Sequence, residues 1–313
     1  MKQPSSSEPS SEPSSEPSSE PSRVTIAAVL REGEAALAES SASPRLDSEV
    51  LLRHVLNLSQ SGLIIAFPEE CPRDTHERFH ELIARRKQSE PIAYIIGERE
   101  FWGLPFRVTP DVLVPRPESE LLVEQAAQEL HGRASVHIAD LGTGSGCLAI
   151  ALVKELMARG CKEVSCEAID LSAAALVIAR HNAERHGVAS QIRFLHGSWF
   201  RELGALRPPY DCIVANPPYI DPDEQTPREL AFEPPQALFS PEQGLADAAE
   251  ILRTGLPLLK PGGVLLCEVG AGKGPSIEGL LSPYRSDFEV KSLGDLSEAD
   301  RFRVVLFKRK SGR

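Results

Sequence analysis

Apolar positions fall into distinct regimes along the chain. Residues 4–22 repeat Ser-Ser-Glu-Pro with a period of four and hold almost nothing to bury, so residues 1–22 are predicted to form a disordered tail. Residues 23–88 change to helical spacing. Val24, Ile26, Ala27, Val29 and Leu30 open one amphipathic stretch. Val50, Leu51, Leu52, Val55 and Leu56, following Asp47, make a second. Phe79, Leu82 and Ile83 give Asp74 to Gln88 one apolar face. The pattern predicts a small helical domain of about four helices over 23–88.

Residues 89–118 carry β-prone side chains, Tyr94, Ile95, Ile96, Phe101, Trp102, Phe106, Val108 and Val112, broken by Gly97, Gly103 and Pro110. A hairpin-like linker is expected there. The two prolines in Leu113-Val-Pro-Arg-Pro-Glu-Ser-Glu120 forbid a helix until about Glu118. From residue 119 to 313 helical and strand patterns alternate. Strands are expected at Val136–Leu141, Val164–Ile169, Ile192–Leu195, Cys212–Ala215 and Val264–Val269. Helices are expected at Leu121–Leu130, Leu148–Met157, Ala173–His186 and Ala246–Leu259. Phe288–Ser292 and Phe302–Lys308 read as a terminal antiparallel pair. This alternation predicts an α/β domain with a mostly parallel, two-side-covered sheet, and ligands at the carboxyl ends of its strands.

Composition narrows the function classes. Of 313 residues, 41% are hydrophobic and 25% charged, the ordinary mixture of a soluble globular protein. No apolar run approaches the roughly 18 residues of a membrane-spanning helix, and no basic-then-apolar leader opens the chain. The acidic start also argues against a mitochondrial transit peptide. A cytoplasmic protein is expected. The formal net charge is −11; the tail contributes −3, from Lys2 against Glu8, Glu12, Glu16 and Glu20, and the remainder carries −8. That balance lowers the case for nucleic acid as a direct partner. Arg85, Arg86 and Lys87 form a short basic cluster that reads as a solvated helix end. The six cysteines form no Cys-x-x-Cys pair, which suits reduced, mostly buried thiols and no metal site.

Candidate chemistry gathers at strand ends. Asp140-Leu-Gly-Thr-Gly-Ser-Gly146 follows one strand and precedes a helix. Its glycines allow a sharp turn and close approach of a ligand, although such spacing would also suit a dinucleotide loop. Asp170 ends the next strand, where a carboxylate can hold both hydroxyls of a ribose or cap the following helix. Trp199 follows the third strand and could pack on an adenine face or in the core. Asn216-Pro-Pro-Tyr219 follows the strand at Cys212–Ala215. Two prolines there set a rigid extended turn. The Asn216 amide oxygen and a proline carbonyl can together accept both hydrogens of one planar NH2 group, and Tyr219 offers an aromatic wall.

The glycine loop is similar to the S-adenosylmethionine loop of Rossmann-type methyltransferases, and Asn-Pro-Pro-Tyr marks those that alkylate a planar nitrogen. With Glu100-Phe-Trp-Gly103, Pro115-Arg-Pro-Glu-Ser-Glu120 and Asp295-Leu-Ser297, the chain resembles the HemK/PrmC family over roughly residues 23–310. These are the N5-glutamine methyltransferases of class-I peptide chain release factors. The resemblance implies a Rossmann-like seven-stranded class I methyltransferase domain preceded by a small helical, substrate-docking domain and a β-hairpin linker. It implies a monomer acting in translation termination on the glutamine of a Gly-Gly-Gln motif. S-adenosylmethionine would meet Asp140, Gly142, Thr143, Gly144, Ser145, Gly146, Asp170, Trp199 and Asn216. The substrate would meet Asn216, Pro217, Pro218 and Tyr219, with Asn216, Pro217 and Tyr219 carrying catalysis and Phe101 helping to shield the site. Ser198, Asp111 and Ser119 depart from the family's usual acid, glycine and threonine, and Phe239 to Gly244 is less glycine-rich than usual. Two alternatives share the motif: an adenine-N6 nucleic-acid methyltransferase and a glutamine methyltransferase of a ribosomal protein.

Overall fold

The computed structural model describes residues 24–200, 209–270, 280, 282–294 and 302–310. The Ser-Glu-Pro tail and the Asp295-Leu-Ser297 motif lie outside the described residues. The chain divides into two compact units, with the break between Ala84 and Arg85.

The first unit holds the four expected helices: α1 (Ile26–Leu37), α2 (Pro44–Leu56), α3 (Gln60–Ala66) and α4 (Arg73–Lys87), the last running across the break. Local chemistry sets their ends. The Thr25 hydroxyl caps α1 by accepting from Ala28 N, Pro44 opens α2, and Ser59 caps α3. Val29, Leu30, Leu51, Leu52, Phe79 and Ile83 form the buried interior.

The second unit begins with a difference from the sequence pattern. Tyr94, Ile95 and Ile96 are not strand residues; they lie in a short helix, α5 (Ile92–Ile96), opened by Pro91 and closed by Gly97 at φ 77°. The hairpin itself is β1 (Glu98–Phe101) and β2 (Leu104–Arg107). Its two-residue loop, Trp102-Gly103, has both φ angles positive, 53° and 67°, the geometry that matches strand twist in tight hairpins. A 3₁₀ turn over Pro117–Ser119 then leads into α6 (Glu120–Glu129), so the prolines delay the helix as their chemistry requires.

Seven strands follow: β3 (Ser135–Leu141), β4 (Glu163–Asp170), β5 (Ile192–His196), β6 (Tyr210–Ala215), β7 (Leu259–Glu268), β8 (Phe288–Gly294) and β9 (Phe302–Arg309). They form one sheet in the order β5-β4-β3-β6-β7-β9-β8. The first five run parallel, and β9 lies antiparallel to both β7 and β8. This is the Rossmann-like seven-stranded arrangement that the resemblance implies. Helices α6, α7 (Cys147–Ala158), α8 (Ala173–Arg185) and α10 (Ala246–Gly255) connect the strands, with a single turn, α9 (Pro241–Gly244), before α10. Two clusters of buried side chains, one holding Leu148, Leu152 and Ile138 and the other Ile213, Leu252 and Leu265, form the core. β7 starts earlier than the periodicity suggests, at Leu259, and carries Pro261-Gly262-Gly263 within it, with a register irregularity opposite Tyr210 and Cys212.

All six cysteines are free, and Cys71, Cys166, Cys212 and Cys267 are buried, which agrees with the thiol reading. Arg86 corrects the picture of a solvated helix end: it is buried, pairs with Glu229 at 2.6 Å and donates to the Glu90 carbonyl. Among the described residues no helix is long and apolar enough to cross a membrane.

At the amino ends of the central strands Asp211 accepts from Arg133 (2.7 Å), His137 N (2.8 Å) and Lys260 (2.6 Å). Burial alone would raise its pKa, but the Lys260 and His137 hydrogen bonds and the two cations hold it below the ordinary value. A depressed carboxyl stabilises the fold fully above the unfolded pKa of about 3.9, and that contribution fades as pH falls through the lower folded value. Asp211→Asn is therefore expected to lower the thermal midpoint at pH 7 and to flatten its decline over this acid window, which scanning calorimetry across pH measures.

Candidate active site

The strand order reverses beside β3, so the loops leaving β3 and β6 diverge and open a cleft at their carboxyl ends. The glycine loop forms its floor. Gly142, Gly144 and Gly146 take φ of 73°, 53° and 81°, values that only glycine adopts freely. Gly142 N and Thr143 N donate to the Ile169 carbonyl at 2.9 and 3.0 Å, latching the loop to the end of β4. Asp170 tightens the latch: its two carboxylate oxygens accept from Gly144 N and Ser172 N, both at 2.8 Å. The helix that follows is capped by Ser172, whose hydroxyl accepts from Ala175 N, so capping is not the task of Asp170. Burial raises the Asp170 pKa, offset in part by those two backbone donors.

Asp140 lies beneath the loop. It is fully buried, and one carboxylate oxygen accepts from the Thr143 hydroxyl (2.6 Å) and Ala149 N (3.2 Å). Its other oxygen has no hydrogen-bond partner among the described residues, and burial pushes its pKa up to about 7.

The opposite wall comes from the Asn216 motif. The Asn216 amide nitrogen donates to Ser119 Oγ at 2.9 Å, and Ser119 Oγ donates to Glu268 at 2.5 Å. The direction follows from valence: the Glu268 carboxylate can only accept, so the serine proton points to it, and the serine oxygen then receives a proton from Asn216. The chain of bonds orients the amide. Asn216 Oδ1 is buried and accepts from no donor among the described residues. A buried amide oxygen left this way costs roughly 1–3 kcal/mol, a cost that a ligand N–H relieves.

The remaining wall is carried by residues distant in sequence. The Tyr94 hydroxyl donates to the Val112 carbonyl at 2.6 Å, and buried Glu233 accepts from Val114 N (3.0 Å) and Arg116 (2.6 Å). These bonds hold Val112 and Leu113 along one side of the cleft, with Pro234, Gln236 and Ala237 also lining it. Trp199 stands across the floor: a Cβ on Gly142 would come within 3.2 Å of its ring, and its indole N–H donates to Asp247 at 3.2 Å.

The cleft encloses about 770 Å³, its open mouth included, within the usual ligand-site range of roughly 300–1,000 Å³. Of the candidate residues, Gly142, Gly144, Asp170, Trp199, Asn216 and Pro218 line it. Asp140, Thr143, Ser145, Gly146, Pro217 and Tyr219 do not. Asp140 and Thr143 brace the loop from behind, and Ser145 receives Asn182 through its carbonyl. Phe101 is placed elsewhere altogether: it is buried in the core, edge-on to Phe106, at the end of an otherwise largely exposed strand. Sequence reading missed Asp247, Leu171 and the Pro234–Ala237 wall, and it noted Asp111 only as a departure. None sits in a recognisable spacing; the one available signal was the adjacent Glu233-Pro-Pro235 turn.

The lining fits S-adenosylmethionine. Three carboxylates, Asp111, Asp170 and Asp247, line the cleft and, among the described residues, no lysine or arginine does, which suits a cationic ligand and repels a phosphate. A Cβ on Gly144 would meet nothing within 4 Å, so the backbone is bare where a ligand would lie. Asp170 brings a carboxylate to the cleft, where ribose hydroxyls are a fitting partner, and Trp199 and Leu171 supply apolar surface. Asp170→Ala is expected to raise the dissociation constant for S-adenosylmethionine about 10- to 100-fold, the weight of one or two charge-assisted hydrogen bonds. Calorimetric titration against the wild type measures it.

The chain matches two family models and several curated proteins. A family model described as the PrmC N-terminal domain matches residues 28–97, and one described as the methyltransferase small domain matches residues 117–233. A "Release factor glutamine methyltransferase" of Nitratidesulfovibrio vulgaris is 38% identical over 89% of this chain and 94% of its own length. A protein of that name from Bordetella pertussis is 41% identical over 82% of this chain and 93% of its own. Among solved structures, a putative class I S-adenosylmethionine-dependent methyltransferase from Listeria monocytogenes matches 91% of this chain and 87% of its own at 13% identity and a TM-score of 0.48. With relatives this close over nearly its whole length, the chain belongs to the release factor glutamine methyltransferase family.

Proposed function

We propose that this protein transfers a methyl group from S-adenosylmethionine to the side-chain amide nitrogen of the glutamine in the Gly-Gly-Gln motif of class-I peptide chain release factors. The observation that carries the reading is the buried Asn216 Oδ1, oriented by Ser119 and Glu268 and short of a donor. It is an acceptor suited to one N–H of a planar amide.

An amide nitrogen is a weak nucleophile because its lone pair is delocalised into the carbonyl. Asn216 Oδ1 accepts one N–H, and the Pro217 carbonyl, which lies past the end of the β6 ladder, accepts the other. Together they fix the plane of the NH2 group and aim its lone pair across the cleft. Bound S-adenosylmethionine supplies an electrophilic methyl group on a sulfonium. As positive charge builds on the substrate nitrogen its N–H bonds grow more acidic, so both acceptors bind more strongly in the transition state than in the ground state. No strong base is needed, since the alkylated nitrogen releases its proton readily to water. Tyr219 closes the motif as an aromatic wall for the substrate's methylenes.

A loop glutamine alone offers little contact area. The helical unit exposes Leu46, Ile64 and Ile65, and these apolar side chains suit docking of the release factor body.

Asn216→Ala is expected to lower kcat by about 10²-fold or more, the usual effect of deleting one preorganised transition-state contact, with a smaller change in cofactor affinity. Ser119→Ala removes only the brace. It should lower kcat about tenfold at nearly constant KM, the weight of one buried hydrogen bond, and Ser119→Thr, which keeps the hydroxyl, should restore it. The deciding assay is transfer of labelled methyl to purified release factor, to its Gly-Gly-Gln→Gly-Gly-Ala variant, to ribosomal protein and to DNA. Label on the release factor that vanishes in the variant supports the proposal. Label confined to DNA or ribosomal protein replaces it.

A further inference from the structure

The helical unit carries a cluster that methyl transfer does not use. His76 and His80 stand one turn apart on α4, and Glu32 approaches them from α1. His76 Nε2 lies 2.8 Å from Glu32 Oε2, His80 Nε2 lies 3.2 Å from the same oxygen, and the two nitrogens are 3.0 Å apart. The two imidazoles meet edge to face with centroids 4.6 Å apart.

Hydrogen bonding does not account for this triangle. Each Nε2 carries at most one proton, and an ionised carboxylate carries none. If both protons point to Glu32, two N–H groups face each other at 3.0 Å. If one bridges the histidines, a bare nitrogen faces a carboxylate oxygen. In every tautomer one edge lacks its proton. A cation among the three atoms satisfies all of them together, because each then offers a lone pair. The dimensions agree. A tetrahedral zinc ion with bonds of about 2.0–2.1 Å holds neighbouring donor atoms about 3.3 Å apart, and the observed edges need to open by only a few tenths of an ångström.

We propose that Glu32, His76 and His80 bind one divalent transition-metal ion, zinc in the first instance, as a three-ligand site with water in the fourth position. Two imidazoles and one carboxylate form the donor set that borderline ions such as zinc prefer over calcium or magnesium. The side chains are 45%, 31% and 42% exposed respectively, so an ion enters directly from solvent. Residues 76–80 read His-Glu-Arg-Phe-His, the helical spacing that places both histidines on one face. The intervening Glu77 does not serve as a hydrolytic base, because its carboxylate is paired with Arg73 at 2.8 Å in an exposed i,i+4 bridge. The ion's role is to clamp α1 to α4.

The test uses the full chain, reduced and freed of metal with a chelator, titrated calorimetrically with zinc chloride. Wild type should bind one equivalent that the His76→Ala, His80→Ala double variant lacks. Because thiols also take zinc, cobalt is the second probe. A nitrogen and oxygen site gives visible d–d bands without a thiolate charge-transfer band. Zinc should also raise the thermal midpoint of the wild type and not of the variant. Should the double variant misfold by circular dichroism, Glu32→Gln decides. It keeps the shape of the carboxylate and is expected to weaken binding at least about tenfold, as loss of even an outer-sphere metal partner does. No zinc binding by the wild type overturns the proposal. So does undiminished binding by a folded variant, or a cobalt spectrum dominated by thiolate.

Discussion

The bond between Gly144 N and the Asp170 carboxylate joins two strand ends at the point where the sheet changes direction. Strands β3 and β6 leave their loops on diverging paths, and a cleft between them exists only if each loop is tied back. The glycine loop is tied twice, once to the Ile169 carbonyl and once to Asp170. With the floor fixed, every other wall has something to be measured against. Trp199 can rest on Gly142 because no Cβ stands there, and the same absence leaves the backbone at Gly144 open to a ligand. The carboxylate that makes the tie also faces the cleft, so one residue both builds the floor and presents charge to what binds on it.

The second constraint is polar and buried. Ser119, Glu268 and Asn216 come from the start of α6, the end of β7 and the end of β6. Burying such groups is unfavourable unless each is satisfied, and here the pairing satisfies the amide nitrogen and leaves the amide oxygen. The Asn216 amide oxygen is thus held in a fixed direction without a donor among the described residues. The hairpin is integrated by similar means. Asn182 on α8 accepts from Arg107 N and donates to both the Arg107 and Ser145 carbonyls, joining β2 to the glycine loop. Trp102 donates through its backbone to Glu120 and through its indole to Glu155, so the turn is pinned onto α6 and α7.

Much of the α/β unit was legible because its strands are long apolar runs ending in chemically distinctive turns. Asp140 to Gly146, Asp170 and Asn216 to Tyr219 each announce a strand end, and the structure brings residues from all three to one cleft. Legibility failed where tertiary context overrode local preference. Tyr94, Ile95 and Ile96 have strand propensity, yet Pro91 and Gly97 enclose them in a helical turn whose tyrosine reaches Val112. Phe101 sits beside Trp102 in a family motif, which suggested an active-site aromatic, but it packs into the core against Phe106. Arg86 looked like a solvated charge, and its partner Glu229 lies far along the chain. The acidic lining of the cleft was hidden for the same reason: Asp111 and Asp247 are ordinary surface residues until the fold brings them to one face.

The length of chain spanned by the Ser119–Glu268 bond, 149 positions, has a consequence for biogenesis. During synthesis the Asn-Pro-Pro-Tyr segment leaves the ribosome before β7 exists. At that stage its amide has neither Glu268 to fix the serine proton nor the neighbouring strand to bury it. A nascent or truncated chain thus carries the complete Asn-Pro-Pro-Tyr segment with its amide unbraced. The brace on the Asn216 amide therefore waits on the pairing of β7 with β6.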